Sequence, residues 1–77
     1  MRPITAQGTI KEWREDDGWG VLVSPEVSGD VWAHGTQLRP FGYAPLQSGQ
    51  AVEFSYIEMP GGGQDGYSFR AEWFRLL

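Results

Sequence analysis

The sequence predicts a small all-β domain, with five short strands rolled into a closed barrel. Three observations carry that expectation. First, eleven glycines and five prolines are scattered through 77 residues. They interrupt every window in which apolar residues might recur three and four apart over the roughly eight to ten residues of a helix. Second, five segments alternate or run apolar over strand lengths, each bounded by turn residues. Third, so many short strands in so short a chain are best relieved of their unpaired edges by closing the sheet on itself.

The segments follow in order. Gly8-Thr9-Ile10-Lys11-Glu12-Trp13 opens, with Ile10 facing inward and Lys11 outward. The charged turn Arg14-Glu15-Asp16-Asp17-Gly18 leads into Trp19-Gly20-Val21-Leu22-Val23, which Ser24-Pro25 ends. Gly29-Asp30 then introduces Val31-Trp32-Ala33-His34, so the first three strands form an antiparallel meander. Gly35 to Gly49 is loop-like, holding Pro40, Gly42 and Pro45, with Leu38 and Leu46 as anchors into the core. Gln50 to Ile57 is a fourth strand, with Val52 and Phe54 on one face and Glu53 and Ser55 on the other. Residues 60–63, Pro-Gly-Gly-Gly, form a flexible connection, and Tyr67 to Phe74 is the fifth strand. A five-stranded SH3-like barrel gives nearly the same string, so periodicity alone leaves the topology open.

Composition narrows the function. One domain, 1–77, is all that this length supports. With no cysteine there is no disulfide scaffold, thiolate metal site or cysteine nucleophile, and a single histidine leaves a zinc cluster short of ligands. No metal or cofactor is expected. The residues after Arg2 include no secretory signal, and apolar runs are far shorter than the roughly 20 residues of a membrane span. A cytoplasmic monomer with no membrane contact is the expectation. The net charge of -4 is evenly divided: four basic residues face six acidic ones in 1–39, and two face four in 40–77. Binding nucleic acid by bulk electrostatics is disfavoured by that balance. Aromatic residues nevertheless make up 14%, four of them tryptophan, and a core this small leaves some of those rings at the surface. No phosphate-cradling loop, paired carboxylates or nucleophile–base arrangement is present, so no enzyme is expected.

Trp19 lies between two glycines on its strand, an arrangement that lets a flat ligand approach the backbone beside the ring. In the third strand Val31 and Ala33 point one way, Trp32 and His34 the other. If the second and third strands are neighbours, Trp19, Trp32 and His34 cover one face. Planar rings on a sheet form a stacking platform for unpaired bases, or else simply pack against one another.

The order Gly8-Thr9-Ile10-Lys11, Gly18-Trp19-Gly20-Val21-Leu22, Asp30-Val31-Trp32-Ala33-His34 and Gly49-Gln50-Ala51-Val52-Glu53-Phe54 resembles the bacterial cold-shock domain. The match is continuous over about 8–56, with a weaker echo over 65–73. The resemblance implies a five-stranded antiparallel barrel of the oligonucleotide-binding (OB) type. Its first three strands would engage single-stranded RNA or DNA, in a protein that chaperones RNA or regulates transcripts. By position, Lys11 matches a lysine beside the ligand backbone. Trp19, Trp32 and His34 match stacking rings of the two ribonucleoprotein-type motifs, and Tyr43 matches a loop aromatic. Four positions depart from the pattern: Glu12 replaces a stacking tryptophan, Asp17 a lysine, and Val21 and Gly35 each a phenylalanine.

Of the remaining basic residues, Arg14 and Arg39 are candidate phosphate contacts beside Lys11. Arg14 is open to capture by Glu15 or Asp16, and Arg70 and Arg75 receive no ligand role. The implied function is stacking-driven binding of single-stranded RNA or DNA with reduced affinity. The competing reading is a protein–protein interaction module on the same barrel.

Overall fold

A computed structural model describes residues 4–39, 45–59 and 66–77. Five strands run β1 (Ile4–Arg14), β2 (Trp19–Val23), β3 (Val31–His34), β4 (Ala51–Glu58) and β5 (Phe69–Leu76), with a short 3-10 turn at Gly35–Gln37. They close a barrel in the order β1-β2-β3-β5-β4. The expected meander is present, β1 pairing antiparallel with β2 and β2 with β3. One part of the expectation is corrected: the barrel is not wholly antiparallel. β3 and β5 pair in parallel, Val31 opposite Phe69 and Trp32 opposite Arg70. The physical reason is connectivity, because β4 lies between them in sequence but pairs with β1 and β5, so β5 returns to β3 in the same direction.

The eleven-residue β1 does two jobs. Its first half, Ile4 to Thr9, pairs with β4, and its second half, Thr9 to Arg14, pairs with β2. A β-bulge between Ile10 and Glu12 separates the halves. Such an extra residue bends and twists the strand, as a closing barrel requires. Ser48 Oγ donates to the Lys11 carbonyl at 2.8 Å, supplying the bulged backbone with a partner. Where β1 runs past β2, Gln7 N–H donates to Glu26 Oε2 at 3.2 Å and its carbonyl accepts from Ser24 Oγ at 2.7 Å. The turn after β2 thus finishes the edge with side chains in place of a strand.

Ile10, Leu22, Val31, Ala33, Val52, Phe54, Ala71 and Phe74 fill the barrel. Leu38 is buried among them and Leu46 packs at the margin, as their expected anchoring role requires. The fully buried rings of Phe54 and Phe74 are the largest contributors, each worth about 1.5–3 kcal/mol relative to an exposed position.

Trp13 points inward, its ring 5.8 Å from that of Phe74, and does not join the outer rings. It lies opposite Gly20 in the β1–β2 ladder. A Cβ at Gly20 would collide with the Trp13 ring and sit 2.5 Å from the Glu12 carbonyl oxygen. The expectation that this glycine admits a ligand to the backbone is therefore corrected: Gly20 faces the core and makes room for Trp13. Gly18, with φ of 77°, serves the turn.

Gly20→Ala is expected to destabilise the fold by roughly 1–3 kcal/mol through overpacking, read as a lower midpoint in denaturant unfolding. An unchanged midpoint would show that Trp13 is free to move aside.

Candidate nucleic-acid interface

Side chains directly opposite one another across a ladder leave the sheet on the same face. On β2 and β3 the opposed pairs are Trp19 with His34 and Val21 with Trp32. β1 adds Glu12 opposite Val21 and Arg14 opposite Trp19. From β5, Arg70 stands opposite Trp32. The outer face so formed brings Trp19, Trp32 and His34 together. The Trp19 and Trp32 ring centroids lie 6.2 Å apart at 33°, and those of Trp32 and His34 lie 5.9 Å apart at 42°. Tyr67 approaches Trp19 edge-on at 6.3 Å. All fall in the range where aromatic pairs attract.

The rings do not lie open across the sheet. Trp32 is only 8% exposed and Val21 is fully buried, yet neither belongs to the inner core cluster. The face is therefore a second, smaller apolar cluster on the outside of the barrel. Val21 explains it: a valine between two indoles leaves the space in which they meet. Trp19, His34 and Tyr67 remain half-buried and give the cluster its accessible surface.

His34 caps the 3-10 turn. Its Nδ1 accepts the Thr36 N–H at 3.2 Å, and Gln37 Oε1 accepts the His34 N–H at 2.9 Å. The same Nδ1 lies 2.9 Å from Thr36 Oγ1, so two groups of Thr36 hold the ring against the turn. Among the described residues no group of three or more His, Asp or Glu stands together to hold a metal ion, and no helix is long and apolar enough to cross a membrane.

The basic side chains are largely engaged. Lys11 is exposed on β1 as expected, but its Nζ donates to Asp30 Oδ2 at 2.9 Å. Arg14 lies over the Trp19 ring at 5.1 Å and 3.7 Å from Glu12 Oε2, so its acidic partner is Glu12, not Glu15 or Asp16. Strand alternation puts Glu12 and Arg14 on one face, and the bulge before Glu12 turns that face outward. Arg39 donates from Nη1 to the Thr36 carbonyl at 2.9 Å and the Leu38 carbonyl at 3.1 Å, and so helps close the turn beside His34. Arg75 is held by Glu53 at 2.7 Å on the opposite side of β5, and Arg70 meets Glu72 at 3.5 Å. Tyr43 and the 60–63 segment lie outside the described residues.

Two residues of the face escaped the sequence reading. The aromatic after Gly66 was the available signal for Tyr67. Arg70 carries no local signal at all, because only the parallel β3–β5 register places it beside Trp32.

The Asp30 hydrogen bond, reinforced by the charge of Asp30, raises the Lys11 pKa above its ordinary value of 10.5. A raised pKa contributes stability that is fully present below the unfolded value and is lost as pH climbs through the folded one. Asp30→Asn is thus expected to melt slightly below wild type at neutral pH, with the gap closing above the Lys11 titration. Thermal melts across pH 7 to about 12 read this directly, and a constant gap would mean the pair contributes nothing through Lys11.

Comparison with known proteins agrees with this geometry. Residues 6–66 match the 'Cold-shock' DNA-binding domain. The chain is 36% identical over 55 residues to the "Cold shock-like protein" of Aquifex aeolicus, covering 71% of this chain and 79% of that one. It is 38% identical over 58 residues to the "Cold shock protein CspA" of Staphylococcus aureus, covering 75% and 86%. The solved structure "drosophila Unr CSD456" shares the fold, with a TM-score of 0.64 at 24% identity over 97% of this chain and 27% of its own length. Members of this family are not enzymes, and they typically bind single-stranded nucleic acid through an aromatic face. With its closed five-stranded barrel and rings on the outer face of β2 and β3, the chain belongs to the cold-shock domain family.

Proposed function

We propose that this protein binds single-stranded RNA or DNA by stacking unpaired bases on the accessible rings of Trp19, His34 and Tyr67, with the buried Trp32 packed among them as support, and with little contribution from phosphate contacts. The observation that carries this reading is the pairing of a ring cluster with occupied cations. Each of the five basic side chains among the described residues already meets a carboxylate or backbone carbonyl. A phosphate must compete with those partners, whereas a base needs only a ring face. Stacking contacts are worth about 1–3 kcal/mol per base and tolerate any sequence. Lys11, Arg14 and Arg39 sit near enough to the rings to steer a strand without anchoring it. Weak, sequence-tolerant binding of this kind suits a cytoplasmic chaperone of RNA structure or a regulator of transcripts, acting without cofactor.

Titration with a short oligothymidine or oligouridine, followed by tryptophan fluorescence, is expected to show saturable quenching. The slope of log K against log salt should be about -2 or shallower, at roughly -0.7 per phosphate contact. Trp19→Ala and His34→Ala should each weaken binding roughly tenfold. Glu12→Trp should strengthen it, since the substitution adds a ring over Val21 and removes a charge from the face. A duplex of equal length should bind far less well. Absence of binding to any single strand at low salt would overturn this reading in favour of a protein partner.

A further inference from the structure

Arg14 lies against a ring as well as a carboxylate. Its guanidinium carbon is 5.1 Å from the Trp19 ring centroid, over the face of the indole. Glu12 Oε2 lies 3.7 Å from Nη2 of the same group. The β1–β2 register accounts for the arrangement, with Arg14 opposite Trp19 and Glu12 opposite Val21 on one outer face. The backbone beneath is fixed, because the Arg14 carbonyl accepts from Asp17 N–H at 3.1 Å and from Gly18 N–H at 2.8 Å. The side chains are freer: that of Arg14 is 51% exposed and that of Glu12 45%. An exposed cation–π contact and an exposed ion pair are each weak. The guanidinium is therefore held in place but readily displaced. Trp32 and Tyr67 adjoin the same Trp19 ring, with centroids at 6.2 Å and 6.3 Å.

We propose that Arg14 is an autoinhibitory latch: Glu12 holds its guanidinium over Trp19, and a base stacks on that ring only by displacing it. This rests on the proposed single-strand binding and adds a built-in competitor to it. A guanidinium and a base both seek the π face of an indole, and the two cannot share it. With Trp32 and Tyr67 adjoining the ring elsewhere, the face under Arg14 is the one left for an incoming base. Glu12 has no contact with the base in this scheme and acts through Arg14, as the anchor of the latch. Contacts of this strength shift an affinity severalfold without preventing binding. Once displaced, the guanidinium is free to meet a backbone phosphate. An ordinary strand thereby offsets part of the displacement, and a strand without backbone charge does not.

The test therefore takes phosphate out of the comparison. The probe is a dye-labelled thymidine octamer with methylphosphonate linkages, which presents bases on an uncharged backbone, and binding is read by fluorescence anisotropy. Arg14→Ala is expected to bind it about two- to fivefold more tightly than the wild type. Glu12→Gln should move affinity the same way by a smaller factor. In the Arg14→Ala background, Glu12→Gln should add nothing, because the anchor then has no latch to hold. Both substitutions fall at half-exposed positions, where the fold tolerates change. Weaker binding by Arg14→Ala would make the guanidinium a stacking surface, and unchanged binding would make it an idle contact. Either result overturns the latch and leaves stacking intact, as does an equal gain from Glu12→Gln with and without Arg14. Binding of ordinary oligothymidine but not of the uncharged octamer makes phosphate the anchor and also overturns the latch. If neither oligomer binds the wild type or the variants, the proposed function itself fails, and the latch with it.

Discussion

The Trp13 ring occupies the space that a side chain at Gly20 would need, and the outer face depends on that fit. The bulge at Lys11 shifts the alternation of β1 so that Trp13 turns inward and Glu12 and Arg14 turn outward. Locking Trp13 against Gly20 then fixes the β1–β2 register beyond the bulge. A slip of one residue would exchange the faces of every side chain on a strand. Trp19 and Val21 would be pulled into the barrel, and Leu22 pushed out. One glycine and one indole therefore decide which residues the protein offers to its surroundings.

On the outside, the same register builds an apolar cluster whose form follows from a small residue at its centre. Val21 lets Trp19 and Trp32 approach to 6.2 Å, and Trp32 is covered as a result. A base that stacks here competes with contacts the rings already make with each other. That separates the present face from an open platform. The acidic residues act through the same geometry. Glu12 draws Arg14 across the Trp19 ring, and Asp30 holds Lys11.

The net charge of -4 thus gains a local meaning. What bears on binding is that carboxylates stand within reach of the cations flanking the rings. Exposed ion pairs of this kind contribute little to stability. They do set what a phosphate must displace. With the cations engaged and the rings clustered, apolar and hydrogen-bonding contacts are left as the principal means of holding a ligand.

Alternation and turn residues were sufficient to mark the five strands, to turn Ile10 inward, and to separate Val31 and Ala33 from Trp32 and His34, and Val52 and Phe54 from Glu53 and Ser55. Those are properties of a period of two, which a sequence displays directly. The pairing of β2 with β3 then sets Trp19 beside Trp32 and His34. The contributions of Arg70 and Tyr67, the capture of Arg14 by Glu12, the covering of Trp32 and the reason for Gly20 were decided only by the tertiary structure. Each depends on which residues of separate strands stand side by side. A parallel closure between β3 and β5, and a bulge that resets one strand's faces, leave no periodic trace in the chain.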